Sequence, residues 1–272
     1  MADIPRHLAE PPLDTPMLDW WADHYDHVFI AYSPFFRVPG FHPDTVAYGA
    51  SYVSWGADEV IQRLKEGLPE QPNDAPDDFE KRIKAEGQKV SWATVQQAAA
   101  QQDGGAPDWQ SFARTVWLWT VHADRKDKDP KICRALDKLC RETGLYSPQE
   151  DCLPVILEPD IGRFLTALAI GTVTIWNEFR DASRNCEVAE FSSGTPEVGL
   201  PGWAPCAISC DDPKLLMMWS HDNVAGLICL SEEQRQICPP EQFFEGEYAR
   251  GDTYVDWLNP ASRFPRKPRL LG

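Results

Sequence analysis

Most of the patterns that would announce a chemistry are missing from this 272-residue chain. There is no phosphate-binding glycine loop, no dinucleotide fingerprint, no Gly-x-Ser-x-Gly elbow, no kinase set and no His-Glu-x-x-His element. Those absences remove the motif-based grounds for nucleotide, phosphoryl, serine-hydrolase or zinc-protease chemistry. No apolar run reaches the roughly 18 residues of a membrane span. The longest candidate, 161–179, is broken by Arg163, Asn177 and Glu178. The first twenty residues hold four prolines and no apolar stretch, so no secretory leader is expected and the cytoplasm is the expected compartment.

Positive charge is also scarce, with 26 Lys and Arg against 42 Asp and Glu, a formal net charge of -16. The deficit is uneven. Residues 1–60 carry two bases and nine acids, 61–145 are balanced at fourteen of each, and 146–261 carry six bases and nineteen acids. Only the tail, with Arg263, Arg266, Lys267 and Arg269, is basic. A field of this sign repels nucleic-acid backbones and anionic lipid and attracts basic proteins. The expected partner is therefore a basic protein, with no nucleic acid and no membrane; the charge leaves the oligomeric state open.

What is present is punctuated apolar periodicity. Thr15 and Pro16 start a predicted helix carrying Leu18, Trp21 and Tyr25, with His27–Tyr32 readable as its continuation or as a strand. Further helices are predicted over Ala57–Glu66, Asp77–Glu86, Trp92–Gln102, Trp109–Ala123 and Pro130–Thr143. The last has Asp129 as N-cap and Gly144 as terminator. Ile161, Phe164, Leu165, Leu168, Thr172, Val173 and Trp176 keep helical spacing and predict a long buried helix. After residue 185 the pattern shortens. Cys186–Phe191, Ala204–Ser209, Lys214–Trp219 and Val224–Leu230, separated by turn residues, predict an antiparallel meander, and Ser231 opens a capping box. The expected class is α+β: a helix-rich N-terminal two-thirds, then a small β-meander and short C-terminal helices. Residues 1–272 form one expected compact domain, with a helical region over 1–184 and an α+β region over 185–272 as its natural subdivision.

The eight cysteines all lie from Cys133 onward and are expected to be reduced and mostly buried. Cys206, Cys210, Cys229 and Cys238 with His221 do not have the spacing of a zinc knuckle. His24 and His27, with Asp23 and Asp26, read as a solvated helix face. His42 and Asp44 have the His-x-Asp spacing of an iron facial triad, completed by His122 or His221. That set defines the alternative of a metal-dependent enzyme using non-haem Fe or Zn; no cofactor is favoured otherwise.

The leading functional expectation rests on surface chemistry. Asp211, Asp212 and Asp222 occupy the turns of the meander, and Glu245, Glu247 and Asp252 follow with Tyr254 and Trp257 interleaved. Carboxylates that steer and aromatics that anchor suit an interface for a basic partner. The expected function is thus an acidic binding protein of the immunity or antitoxin type, occluding a basic toxic enzyme. A structural or adaptor subunit is the further alternative.

Overall fold

The computed structural model describes residues 4–49, 61, 65, 73–103, 107–211 and 214–259. Its spine is one antiparallel sheet. The central strands are β9 (Lys214–Trp219) and β10 (Ala225–Leu230), whose sequences KLLMMW and AGLICL are almost without polar interruption. Such strands must be covered on both faces. On one side β10 pairs with β1 (His27–Tyr32), which in turn holds the edge strand β11 (Gly246–Tyr248). On the other, β9 pairs with β8 (Ala207–Asp211), then β6 (Thr172–Trp176), then the second edge strand β7 (Ser183–Glu187). The order is β11-β1-β10-β9-β8-β6-β7.

Alternation along these strands divides the core in two. Phe29, Met217, Trp219 and Ile228 face a layer containing α2 (Phe79–Glu86) and α6 (Glu158–Ala167). Val28, Tyr32, Leu216, Met218 and Leu227 face α3 (Trp92–Asp103), α4 (Trp109–Thr120) and α5 (Pro130–Thr143), together with Trp21 and Met17. The architecture is helices on both faces of a sheet. Two short pairings complete it: β2 (Phe35–Arg37) with β5 (Gln88–Val90), and β3 (Val46–Ala47) with β4 (Asn73–Asp74). Opposite Trp219 in the register stands Gly226, where a Cβ would fall 2.4 Å from the indole, so only glycine lets that ring lie flat across its neighbour strand.

Local signals behaved as their chemistry requires. Asp129 accepts a hydrogen bond from the Lys131 N–H at 2.7 Å to cap α5, and Gly144 ends it at φ +64°. Ser231 and Gln234 close a reciprocal capping box on α7 (Glu232–Ile237).

The expected helix-rich N-terminal two-thirds followed by a small meander is overturned. Up to residue 78 the only named helix among the described residues is α1 (Met17–Trp20), and β1 to β4 lie there instead. His27–Tyr32 is a strand because all but His27 are buried, between β10 and β11. The long helix expected over 161–176 also fails. α6 stops at Ala167, Ala169 turns through φ +56°, and the β-branched run TVTIW becomes β6. The meander is real in β8–β10 but is the middle of a seven-stranded sheet, whose strands come from both sides of residue 184. The helix expected over Ala57–Glu66 falls almost wholly outside the described residues, as do Asp212 and the basic tail.

One buried ion pair ties the first helical layer together. Lys84 Nζ lies 2.7 Å from Glu158 Oε2, with both side chains essentially inaccessible, and donates to the Glu190 and Pro196 carbonyls at 2.6 and 2.7 Å. Glu158 also accepts from the Val198 N–H, so α2, α6 and residues 190–198 share one satisfied charge network. Removing one member strands the other in an apolar layer. Lys84→Met should therefore cost about 3–5 kcal/mol in urea unfolding. Adding Glu158→Gln to that variant should restore some of the loss; a single variant within about 0.5 kcal/mol of the parent would show that the pair is not a keystone.

Candidate functional site

The β6–β7 and β9–β10 turns leave the sheet at the same end, because β6 and β9 both pair antiparallel to β8 and so run parallel to each other. The first turn is built on Asn177, which is fully buried. Its side-chain Nδ2 donates to Asp181 Oδ1 at 2.7 Å, and its side-chain Oδ1 accepts from the Asp181 and Ala182 N–H groups. That rigid turn holds Arg180 at φ +57°, an uncommon state for a long side chain. Arg180 Nη1 is spent on the Asn177 and Glu178 carbonyls, while its buried Nε has no partner among the described residues.

In the second turn His221 stands between two carboxylates. Its Nδ1 is 3.2 Å from Asp151 Oδ1 and its Nε2 is 3.7 Å from Asp222 Oδ1. Asp151 Oδ1 also accepts from the Asp222 N–H at 2.5 Å, and Trp117 Nε1 donates to the Asp222 carbonyl. Asp151 and Asp222 both have positive φ, so three of the five such non-glycine residues among those described gather at this end of the sheet. Strained backbone of this kind is costly and tends to be kept where a site needs it.

Between these turns and residues 4–10 lies a cavity of about 590 Å³, lined by Glu10, Glu178, Phe179, Arg180, Asp181 and His221 among others. Burial pushes the Glu10 carboxyl up, against a hydrogen bond with Ser220. Burial also pushes the neighbouring Glu150 up to about 7, with Asp151 and Asp222 adding to the shift and His221 opposing it. At the rim Phe179 and Trp203 meet edge to face with centroids 6.2 Å apart, although each is about half exposed (52% and 51%).

Of the residues expected to bind a partner, Asp222 belongs to this end. Asp211 lies at the opposite end of β9, pairing with Lys214. Glu247, Asp252, Tyr254 and Trp257 gather in a separate cleft. Glu245 is engaged internally, its two oxygens accepting from the Trp92 and Ala93 N–H groups at the start of α3. The sequence pattern had no means of marking Phe179, Trp203 or Asp151, because they come from three loops that only the sheet brings together.

The metal set His42, Asp44 and His221 is not assembled. His42 donates from Nε2 to the Arg141 carbonyl and accepts at Nδ1 from the Asp44 N–H, so both ring nitrogens are occupied. Among the described residues, Asp151, His221 and Asp222 are the one trio offering metal-ligating atoms within 4.8 Å of one another. His24 and His27 are not one helix face either: His27 opens β1 and bonds Glu232, and His24 packs on His7. All eight cysteines are free thiols, and burial drives Cys229 well above the ordinary thiol range.

A family model described as a protein of unknown function, DUF2711, matches residues 13–259. The chain belongs to the DUF2711 family. No curated protein and no solved structure matches it. The stretch shared with DUF2711 contains Asp151, Phe179, Arg180, Trp203, His221 and Asp222, and leaves out residues 4–10 that close the cavity. No helix is long and apolar enough to cross a membrane among the described residues.

The Glu150 shift gives a signed pH dependence. Its folded pKa is raised above the unfolded value, so its contribution to stability is present below about 4.5 and is lost as pH rises through about 7. Glu150→Gln should therefore flatten the fall in stability between those pH values. Denaturation curves at pH 5 and pH 8 that keep the parent's difference would refute this.

Proposed function

We propose that this protein binds a basic partner protein at the end of the sheet, around the Phe179–Trp203 pair. The observation that carries this is two large rings, half exposed and touching each other, beside a cavity walled by Glu10, Glu178 and Asp181. Exposed apolar side chains are ordinary when single; two in contact, beside a cavity whose charged side chains are mostly acidic, suit an interface. Aromatic rings anchor an interface by area, and the surrounding carboxylates speed and orient the approach of a cationic surface. The net charge of -16 extends that steering to long range at low salt.

An inhibitor of a basic toxic enzyme is the form of this function that best uses the charge, because capping an active site needs fast, tight association more than chemistry. Arg180 and His221 would then serve as fixed features of the surface. Their own partners, the turn carbonyls and the two aspartates, keep the rim in one shape before binding.

Cross-linking in the native host should join a protein of high isoelectric point to residues near 179, 203 or 222. With that partner purified, Phe179→Ala/Trp203→Ala should weaken binding by about 100-fold, as expected for two anchoring residues. Folding should be nearly unaffected, since both rings are half exposed. A partner of acidic charge, or equal binding by the double variant, would rule the proposal out.

A further inference from the structure

A second cavity of about 530 Å³ opens at the β11 edge of the sheet, between β11, α4 and residues 250–259. It shares no lining residue with the cavity at the sheet end. Its volume falls in the range of small-molecule sites. Four aromatic side chains, Trp109, Tyr248, Tyr254 and Trp257, contribute to its wall.

Two of these rings are held in place from behind. Tyr32 stacks on Trp257 with centroids 5.7 Å apart and planes 20° apart, and lies 5.6 Å from Trp109. Trp92, fully buried, supports Tyr32 from 5.1 Å. The aromatic surface is thus preorganised by the core instead of being free to collapse into the opening.

The charge in the cleft is negative and partly committed. Tyr32 Oη donates to Glu247 Oε1 at 2.9 Å, and among the described residues Oε2 meets only Arg250, at 4.0 Å. The Arg250 side chain is 80% exposed, so it is a loose counter-ion that a ligand can displace. Burial, with the Glu247 charge adding to it, holds the Tyr32 phenol far above its ordinary range, so it stays a donor to that carboxylate. Asp252 adds a second, exposed carboxylate to the lining.

Several other polar atoms of the wall are already in use. Thr253 Oγ1 accepts from the Arg250 N–H, the Leu258 carbonyl accepts from Arg114, and Asn259 Oδ1 accepts from Arg125. A primary ammonium or guanidinium needs three to five acceptors; beyond these the lining offers it Glu247 Oε2 and the exposed Asp252 and Gln110 side chains. A cation with no N–H groups needs only aromatic faces and a nearby negative charge.

We propose that this cleft binds a quaternary ammonium ligand, with its methylated head against the Trp109 and Trp257 rings and its charge balanced by Glu247. The site does not depend on the partner surface at the sheet end, and either can fail without the other.

Calorimetric titration of the full chain with choline tests it. Choline should bind, and both its neutral isostere 3,3-dimethyl-1-butanol and its primary-amine analogue ethanolamine should bind about tenfold more weakly or worse. Glu247→Gln keeps an acceptor for Tyr32 but removes the charge, and should cost about tenfold in choline affinity with an unchanged melting temperature. The Phe179→Ala/Trp203→Ala variant should bind choline like the parent. No choline binding at millimolar concentration would overturn the proposal. Equal binding of the neutral isostere would make the cleft merely apolar, and equal binding of ethanolamine would make it an N–H-bonding site; each also overturns it. Should Glu247→Gln fail to fold, the three-ligand comparison on the parent chain decides alone.

Discussion

Two-sided burial of β9 and β10 is the constraint on which the rest of the molecule depends. Residues 215–219 and 225–230 are buried without exception, so every side chain on both faces of these strands needs a cover. Helices supply it: α2 and α6 on one face, α3, α4 and α5 on the other. With both faces sealed, the polar groups of the sheet can surface only at its ends and edges. That is where the two cavities lie, one at the turns of β6 and β9, the other beside β11.

The same constraint explains the internal use of charge. Lys84 and Glu158 sit inside a helical layer and satisfy each other and three backbone groups. Glu245 is drawn to the start of α3, where its carboxylate meets free N–H groups. Acids used in this way hold the fold together and contribute little to an outer field. The carboxylates left for partners are those at the sheet end and at the β11 cleft, a smaller set than the composition suggests.

Much of the local structure was legible in the sequence, and the reasons are local. α5 was readable from Asp129, Pro130 and Gly144, and β9 from an apolar run bounded by turn residues. Segments whose identity depends on distant pairing were not readable. His27–Tyr32 and Thr172–Trp176 both extend helical spacing from the segment before them. They are strands because β10 and β11 flank the first, and β7 and β8 the second. The candidate sites show the same division. Glu247, Asp252, Tyr254 and Trp257 were visible as neighbours along the chain, whereas Trp109 and Tyr32 joined them only through packing.

Residue chemistry within reach of a few positions was enough to set the sign of the charge, the capped helices and the central hairpins. Long-range packing settled the remainder: which acids face outward, which histidine stands between carboxylates, and which aromatics are exposed. Phe179 and Trp203 are 24 residues apart in the chain, and Asp151 and His221 are 70 apart. Contacts over such separations are set by strand order and register, and no short pattern along the chain records them.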